Sequence, residues 1–204
     1  MGRYSGPRVK KMRALGVDLP GLSRKTSSRR PHPPGQHGAQ HRGHKSDFKR
    51  QLMEKQKLRF NYGVGERQFR RLFKEARNST DATGKKLLQL LECRLDNVVF
   101  RAGLAPTIPA ARQLVAHRHF TVNGRRVDIA SFRIKQGDVI APRPKSKDLG
   151  CILQSIEEPS LARPEWLTVN DQERSITVDD LPDFNSVPFE IDVQLVVEYY
   201  ATRI

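Results

Sequence analysis

The sequence predicts an α+β chain: a basic N-terminal arm and a helical domain, with a small helix–turn–helix plus β-sheet domain inserted into it. Three observations carry this expectation. The first 46 residues are rich in glycine, proline and cations and poor in apolar side chains. Residues 47–101 repeat their apolar side chains at helical spacing. From Phe120 the repeat shortens to that of brief strands, punctuated by an Asn123-Gly124 turn. The expected boundaries are 1–46 for the arm, 47–92 together with 150–204 for the helical domain and its C-terminal segment, and 93–149 for the insertion.

Residues 1–47 hold seven of the fourteen glycines and five of the thirteen prolines. Such a segment buries too little apolar surface to offset its ordering entropy, which predicts an extended arm that orders on a partner. A helix is expected over 47–62, capped by Ser46 or Asp47 and closed by Gly63 and Gly65. A second runs from Glu66 to Arg77, with Phe69, Leu72 and Phe73 inward. A third, strongly apolar helix is expected from Lys85 to Arg101. Thr107 caps a short helix that tolerates Pro109 in its first turn. Phe120–Val122 and Arg125–Val127 form a hairpin around Asn123-Gly124. Short strands follow at Phe132–Ile134 and Val139–Ile140, then a helix within Lys147–Glu158. Trp166–Val169 and Ser175–Val178 read as strands, and Phe189–Tyr199 as a strand or a strand with a terminal helix.

The chain of 204 residues carries a net charge of +15, unevenly spread. Residues 1–50 have thirteen Lys/Arg against two acids, 51–100 eleven against six, and 101–150 ten against three. Residues 151–204 reverse the sign, with three against eleven. The first 150 residues therefore call for a polyanion, and the last 54 face solvent or a basic protein. No run of 18 apolar residues occurs, so no membrane-spanning helix is expected. The N-terminus lacks the apolar core of a secretory signal. It is acid-poor, as transit peptides are, but its glycine and proline argue against a targeting helix. Cys93 and Cys151 both sit in apolar settings and read as two buried thiols of a reducing compartment.

Between Lys49 and Lys74 nine cations (Lys49, Arg50, Lys55, Lys57, Arg59, Arg67, Arg70, Arg71, Lys74) face only Glu54 and Glu66. Glu54–Lys57, Glu66–Arg70 and Arg71–Glu75 are spaced for intrahelical pairs, so a solvated helix is one reading. The surplus favours phosphate contacts, with aromatic rings interleaved for packing or base stacking. Arg112, Gln113, His117, Arg118, His119, Asn123 and Arg125 converge on a second cationic patch that suits structured RNA, or else decorate an ordinary α/β domain. Gln36 and His37 lie in a Pro/Gly/His loop that could pack against RNA. His32, His37, His41 and His44 lack the tight pairing and supporting carboxylates of a zinc site, so neither metal nor cofactor is expected. Nucleophile-elbow, P-loop, dinucleotide and HExxH motifs are all missing, so the chain is not expected to be an enzyme. Asp179, Asp180 and Asp183 form an acidic turn, read as solvated or as a contact for a basic neighbour.

Residues 93–140, CRLDNVVFRAGLAPTIPAARQLVAHRHFTVNGRRVDIASFRIKQGDVI, resemble the small RNA-binding domain named after the bacterial ribosomal protein S4. PHPPGQHG at 31–38 and SDFKRQLMEKQKLRFNYGVGERQFRRLFKEA at 46–76 resemble the part peculiar to the S4 ribosomal protein family itself, as does VQLVVEYY at 193–200. The likeness covers essentially the whole chain and is weakest across 150–188. It implies a structural constituent of the small ribosomal subunit and a primary binder of its RNA, in the 5′ domain. It further implies a protein that nucleates assembly of the subunit body and influences translational accuracy. Proteins S3 and S5 are the implied neighbours, with messenger RNA near its entry site, no membrane, and a cytoplasmic or organellar ribosome as the location. Many family members carry an N-terminal cysteine cluster. No cysteine precedes Cys93 here, so the chain resembles the cysteine-free variants. An RNA-modifying or tRNA-handling enzyme with the same small domain, and an RNA-binding repressor, remain alternatives. Residues 141–204 are too few and too acidic to supply a catalytic domain readily.

Overall fold

The computed structural model describes residues 4–40 and 46–203. They form eight α-helices and one five-stranded antiparallel sheet, distributed over two compact units. One unit comprises residues 1–87 and 188–204, the other 88–187.

The first unit begins with α1 (Arg8–Leu15), which Gly16 ends in the left-handed conformation at φ 72. An extended arm was expected here, but Met12, Leu15, Leu19 and Leu22 are buried in one cluster. Tyr4, Val9, Val17, Met53, Phe60 and Phe189 pack against it. The physical reason is a sparse apolar stripe at three- and four-residue spacing, which suffices once α2 (Asp47–Asn61) offers a partner face. The buried Asn61 side chain accepts the Gly21 N–H at 2.9 Å, tying the following turn to the end of α2. Of the two expected caps, Ser46 and Asp47, it is Ser46 that caps α2. The third helix, α3 (Glu66–Arg77), buries Phe69, Leu72, Phe73 and Ala76. The C-terminal segment carries the terminal helix that was one of the two readings of Phe189–Tyr199, α8 (Val193–Ala201), but no strand precedes it at 189–192. Asp192 caps it, and Val193, Val196 and Tyr200 bury one helical stripe. The Tyr200 ring lies 5.8 Å from that of Phe69 and 4.8 Å from that of Phe73, so α8 completes the core under α3.

The expected single helix over Lys85–Arg101 is two: α4 (Thr83–Glu92) and α5 (Leu95–Arg101). Arg94 between them is extended and bridges Arg133. Cys93 C=O accepts the Ile134 N–H, and Leu95 N–H donates to Phe132 C=O, each at 2.9 Å. The strand expected at Phe132–Ile134 is reduced to this bridge. Helical periodicity continues across the break because both helices bury their apolar faces, so the sequence pattern does not mark it.

The second unit continues with α6 (Ile108–Ala116), capped by Thr107. Its sheet comprises β1 (Phe120–Val122), β2 (Arg125–Arg126), β3 (Val139–Pro142), β4 (Leu167–Asn170) and β5 (Ser175–Val178), in the order β2-β1-β3-β5-β4. The hairpin turn places Asn123 at φ 49 and Gly124 at φ 74, the left-handed pair that a two-residue connection needs. Helix α7 (Gly150–Glu157) is shorter than its expected span. Residues 150–187 were grouped with the helical domain in the sequence. They lie in the second compact unit, because β5 pairs with β3 and carries β4 with it. Cys93 is buried but Cys151 is exposed near the start of α7, which corrects the expectation of two buried thiols.

Candidate nucleic-acid interface

Helix α3 divides cleanly into an apolar face and a cationic one. With Phe69, Leu72, Phe73 and Ala76 inward, helical geometry turns Arg67, Arg70, Arg71 and Lys74 outward, and all four are exposed. Arg70 stands 3.9 Å from Glu66, one turn earlier. Arg67, Arg71 and Lys74 have no ion-pair partner among the described residues. Arg71, although spaced to reach Glu75, makes no such pair.

Glu66 anchors this face from the first turn of α3. Its carboxylate accepts Lys55 Nζ at 2.9 Å and the Tyr200 hydroxyl at 2.8 Å, and lies 3.9 Å from Arg59. Burial draws the carboxyl upward, but the hydrogen bonds from Lys55 and Tyr200 and the charges of Lys55 and Arg59 outweigh it. Glu66 is held below the usual glutamate range. Burial, with the Glu66 hydrogen bond and charge, pushes the Tyr200 phenol well above its ordinary value. Lys55 is thus a buried structural cation, also 4.8 Å from the Tyr199 ring centroid.

The α2 cations separate in the same way. Lys49 and Arg50 are exposed, Arg50 only loosely near Asp47 at 3.9 Å. Lys57 is half-buried and bound to Glu54 at 2.6 Å, and Arg59 is half-buried beside Gln56, Glu66 and the Phe60 ring. Gln36 and His37 are exposed in the turn-rich segment after α1, where Arg13 donates to the His32 and Pro33 carbonyls. Of the four histidines weighed as metal ligands, His41 and His44 lie outside the described residues. Among those described, no three His, Cys, Asp or Glu side chains come together in a way that could hold a metal ion.

In the second unit the expected patch splits in two. Arg112 is turned inward: its Nε and Nη2 donate to Asp96 Oδ2 at 3.1 and 2.7 Å. Asp96 is fully buried and also takes a two-pronged contact from Arg94, at 3.0 and 2.7 Å. Asn97 bonds the Glu92 carboxylate at 2.7 Å beside them. This cluster holds α5 against α6, so Arg112 is an internal strut before it is a surface cation. Asn123 is likewise occupied, donating to Asp138 and accepting the Val139 N–H, each at 2.8 Å.

Of the remaining residues, His117, Arg118 and His119 lie together at the α6–β1 junction. Gln113 and His117 are exposed on and just after α6, and Arg118 follows with φ 66. Arg118 reaches Asp128 at 3.0 Å. His119 is half-buried, its Nδ1 2.9 Å from Ser146 Oγ and its ring 6.2 Å from that of His117. Burial, followed by the charges of His117 and Arg143, holds the His119 imidazole below its ordinary value. Arg125 and Arg126 are exposed on β2, with no carboxylate partner among the described residues. Sequence reasoning missed Arg143. Its N–H donates to His119 C=O at 2.8 Å and its guanidinium reaches Arg118 C=O at 3.4 Å. Pairing of Phe120 with Pro142 brings it there, and no local signal announces a cross-strand neighbour more than twenty residues away.

Comparison with known proteins decides the family. Residues 3–92 match the family description "Ribosomal protein S4/S9 N-terminal domain", and residues 93–140 match "S4 domain". The chain is 59% identical, over the full length of both, to "Small ribosomal subunit protein uS4B" of Nitrosomonas europaea. It is 57% identical, again over both whole chains, to "Small ribosomal subunit protein uS4" of Methylobacillus flagellatus, and 50% to that of Nostoc punctiforme. The chain belongs to the ribosomal protein S4 family. That family is one of ribosomal proteins and not of enzymes. The expectation of a cysteine-free variant needs correction: the chain has two cysteines, Cys93 and Cys151, and only the segment before Cys93 lacks them. No helix among the described residues is long and apolar enough to cross a membrane.

Proposed function

We propose that the chain is a structural constituent of the small ribosomal subunit that binds the subunit's RNA through two cationic surfaces, one in each compact unit. The observation that carries this reading is the outer face of α3, where Arg67, Arg71 and Lys74 stand exposed without an ion-pair partner among the described residues. A face of that kind on a folded helix has its counter-ions outside the protein, and RNA phosphates supply them while releasing bound cations. The second surface comprises Gln113, His117, Arg118, His119, Arg125 and Arg143, with Gln36, His37, Lys49 and Arg50 as further contacts on the first unit. Lys57, Arg59, Arg112 and Asn123 belong to the interface mainly through the elements they hold in place.

The finer reading is binding to the 5′ domain of small-subunit ribosomal RNA, early in assembly of the subunit body, with an influence on decoding accuracy. Proteins S3 and S5, and messenger RNA near its entry, are the expected neighbours, in a bacterial cytoplasm or an organelle. The acidic segment 151–204 supports a protein neighbour, since it would be repelled by RNA. The test is a titration of the full chain against a 5′-domain transcript, with excess tRNA, at several salt concentrations. Competitor-resistant binding with a steep salt slope is expected. Binding that tRNA abolishes would leave only generic basicity and overturn the reading.

A further inference from the structure

The junction between α6 and β1 concentrates positive charge more tightly than its exposure requires. His117 sits at the end of α6, His119 directly before β1, and Arg143 directly after β3. The two imidazoles are 6.2 Å apart between ring centroids. The backbone N–H of Arg143 is bonded to His119 C=O, and its guanidinium to Arg118 C=O. Ser146 Oγ, from the turn after β3, holds His119 Nδ1 and so leaves Nε2 as the ring's other polar atom. Arg118 adds a fourth basic group, and Asp128 is the carboxylate paired with it. No carboxylate is paired with His117, His119 or Arg143 among the described residues.

A folded protein has little reason to hold two imidazoles beside a guanidinium that no carboxylate neutralises unless an anion completes the group. We propose that His117, His119 and Arg143 form one seat for an RNA backbone phosphate, and that the seat takes up a proton from solvent when the phosphate enters. The proposal rests on the RNA-binding reading above and gives it a pH dependence. In the free protein His119 is disfavoured as a cation by burial, by His117 and by Arg143. A phosphate reverses the two charge effects, so the bound imidazole holds its proton to higher pH than the free one. By linkage, affinity then rises as pH falls through the window between the bound and free values, by up to about tenfold per pH unit for each imidazole that gains a proton. Below that window both states are protonated and the dependence vanishes.

The experiment measures binding of the full chain to the 5′-domain transcript between about pH 6 and pH 8. It compares the wild type with His117→Gln, His119→Gln and Arg143→Gln, and NMR follows the imidazole titrations with and without RNA. Affinity should rise several-fold as pH falls, and RNA should raise the His119 titration midpoint. His119→Gln should flatten the pH response while Gln keeps a hydrogen bond to Ser146. Arg143→Gln should weaken binding at every pH and lower the salt slope by about one contact's worth. His117→Gln, at an exposed site, keeps the test open if the His119 variant fails to fold. Tight, salt-sensitive but pH-independent binding with unmoved imidazoles overturns the seat and leaves the RNA reading standing. Absence of specific RNA binding overturns that reading instead. Inorganic phosphate then judges the seat alone: a raised His119 midpoint supports it, and no shift overturns it.

Discussion

Neutralising the α3 face by Arg67→Gln, Arg71→Gln and Lys74→Gln together should remove RNA affinity without unfolding the helix. All three side chains are exposed and none has an ion-pair partner among the described residues, so no buried acid is orphaned. The apolar face formed by Phe69, Leu72, Phe73 and Ala76 is untouched, and glutamine is nearly as good a helix former as arginine or lysine. Stability should therefore change by no more than about 0.5 kcal/mol per substitution. Each phosphate contact contributes roughly 0.7 to 0.9 to the slope of log affinity against log salt, so losing three should lower the slope by about 2 to 3. Near 0.1 M salt the same loss corresponds to about a hundredfold or more in affinity. The assay is fluorescence anisotropy on the 5′-domain transcript over a range of potassium chloride, with circular dichroism as the folding control. An unchanged slope in a fully helical variant would refute the assignment of this face to phosphates.

Two further perturbations test the frameworks beneath the surfaces. Asp96→Ala strands the buried Arg94 and the half-buried Arg112, and should cost about 3 to 5 kcal/mol in urea unfolding. A loss below about 1 kcal/mol would show that the cluster does not hold α5 to α6. Tyr200→Phe keeps the ring packing on Phe69 and Phe73 but removes the hydroxyl from Glu66, and should cost about 1 kcal/mol. Because the folded pKa of Glu66 is depressed, its stabilisation is present above the unfolded value and is lost as pH falls through the folded one. Without the hydroxyl the folded value rises toward the ordinary one. The acid limb of a melting-temperature profile should then begin at the same pH in both proteins but fall less and level off at higher pH in Tyr200→Phe than in wild type, and coincident limbs would count against the hydrogen bond.

Several elements are legible because their causes are local. Ser46 and Thr107 cap the helices they precede, since a side-chain oxygen there meets an unpaired N–H within three residues. The Asn123-Gly124 turn follows from two residues that tolerate positive φ. The inward and outward faces of α3 follow from a period of 3.6. The N-terminal segment was misread because its composition is that of an unfolded arm. Four spaced apolar side chains outweighed that average once Met53 and Phe60 covered them. The break at Arg94 was hidden for a related reason: what interrupts the helix is a hydrogen bond from Ile134, forty residues onward.

The same distinction governs the candidate interface. Sequence alone determines the surplus of cations over acids in residues 1–150, and therefore the need for a polyanion, because charge is counted without knowing where it sits. It cannot determine which cations are already spent. Lys55 and Arg112 look like their neighbours in the sequence, yet Glu66 and Asp96 claim them across helix–helix contacts. Arg143 looks unremarkable until strand pairing sets it beside His119. Coulomb attraction and hydrogen bonding act over a few ångströms, so only the packed chain decides which charges find each other and which are left for RNA.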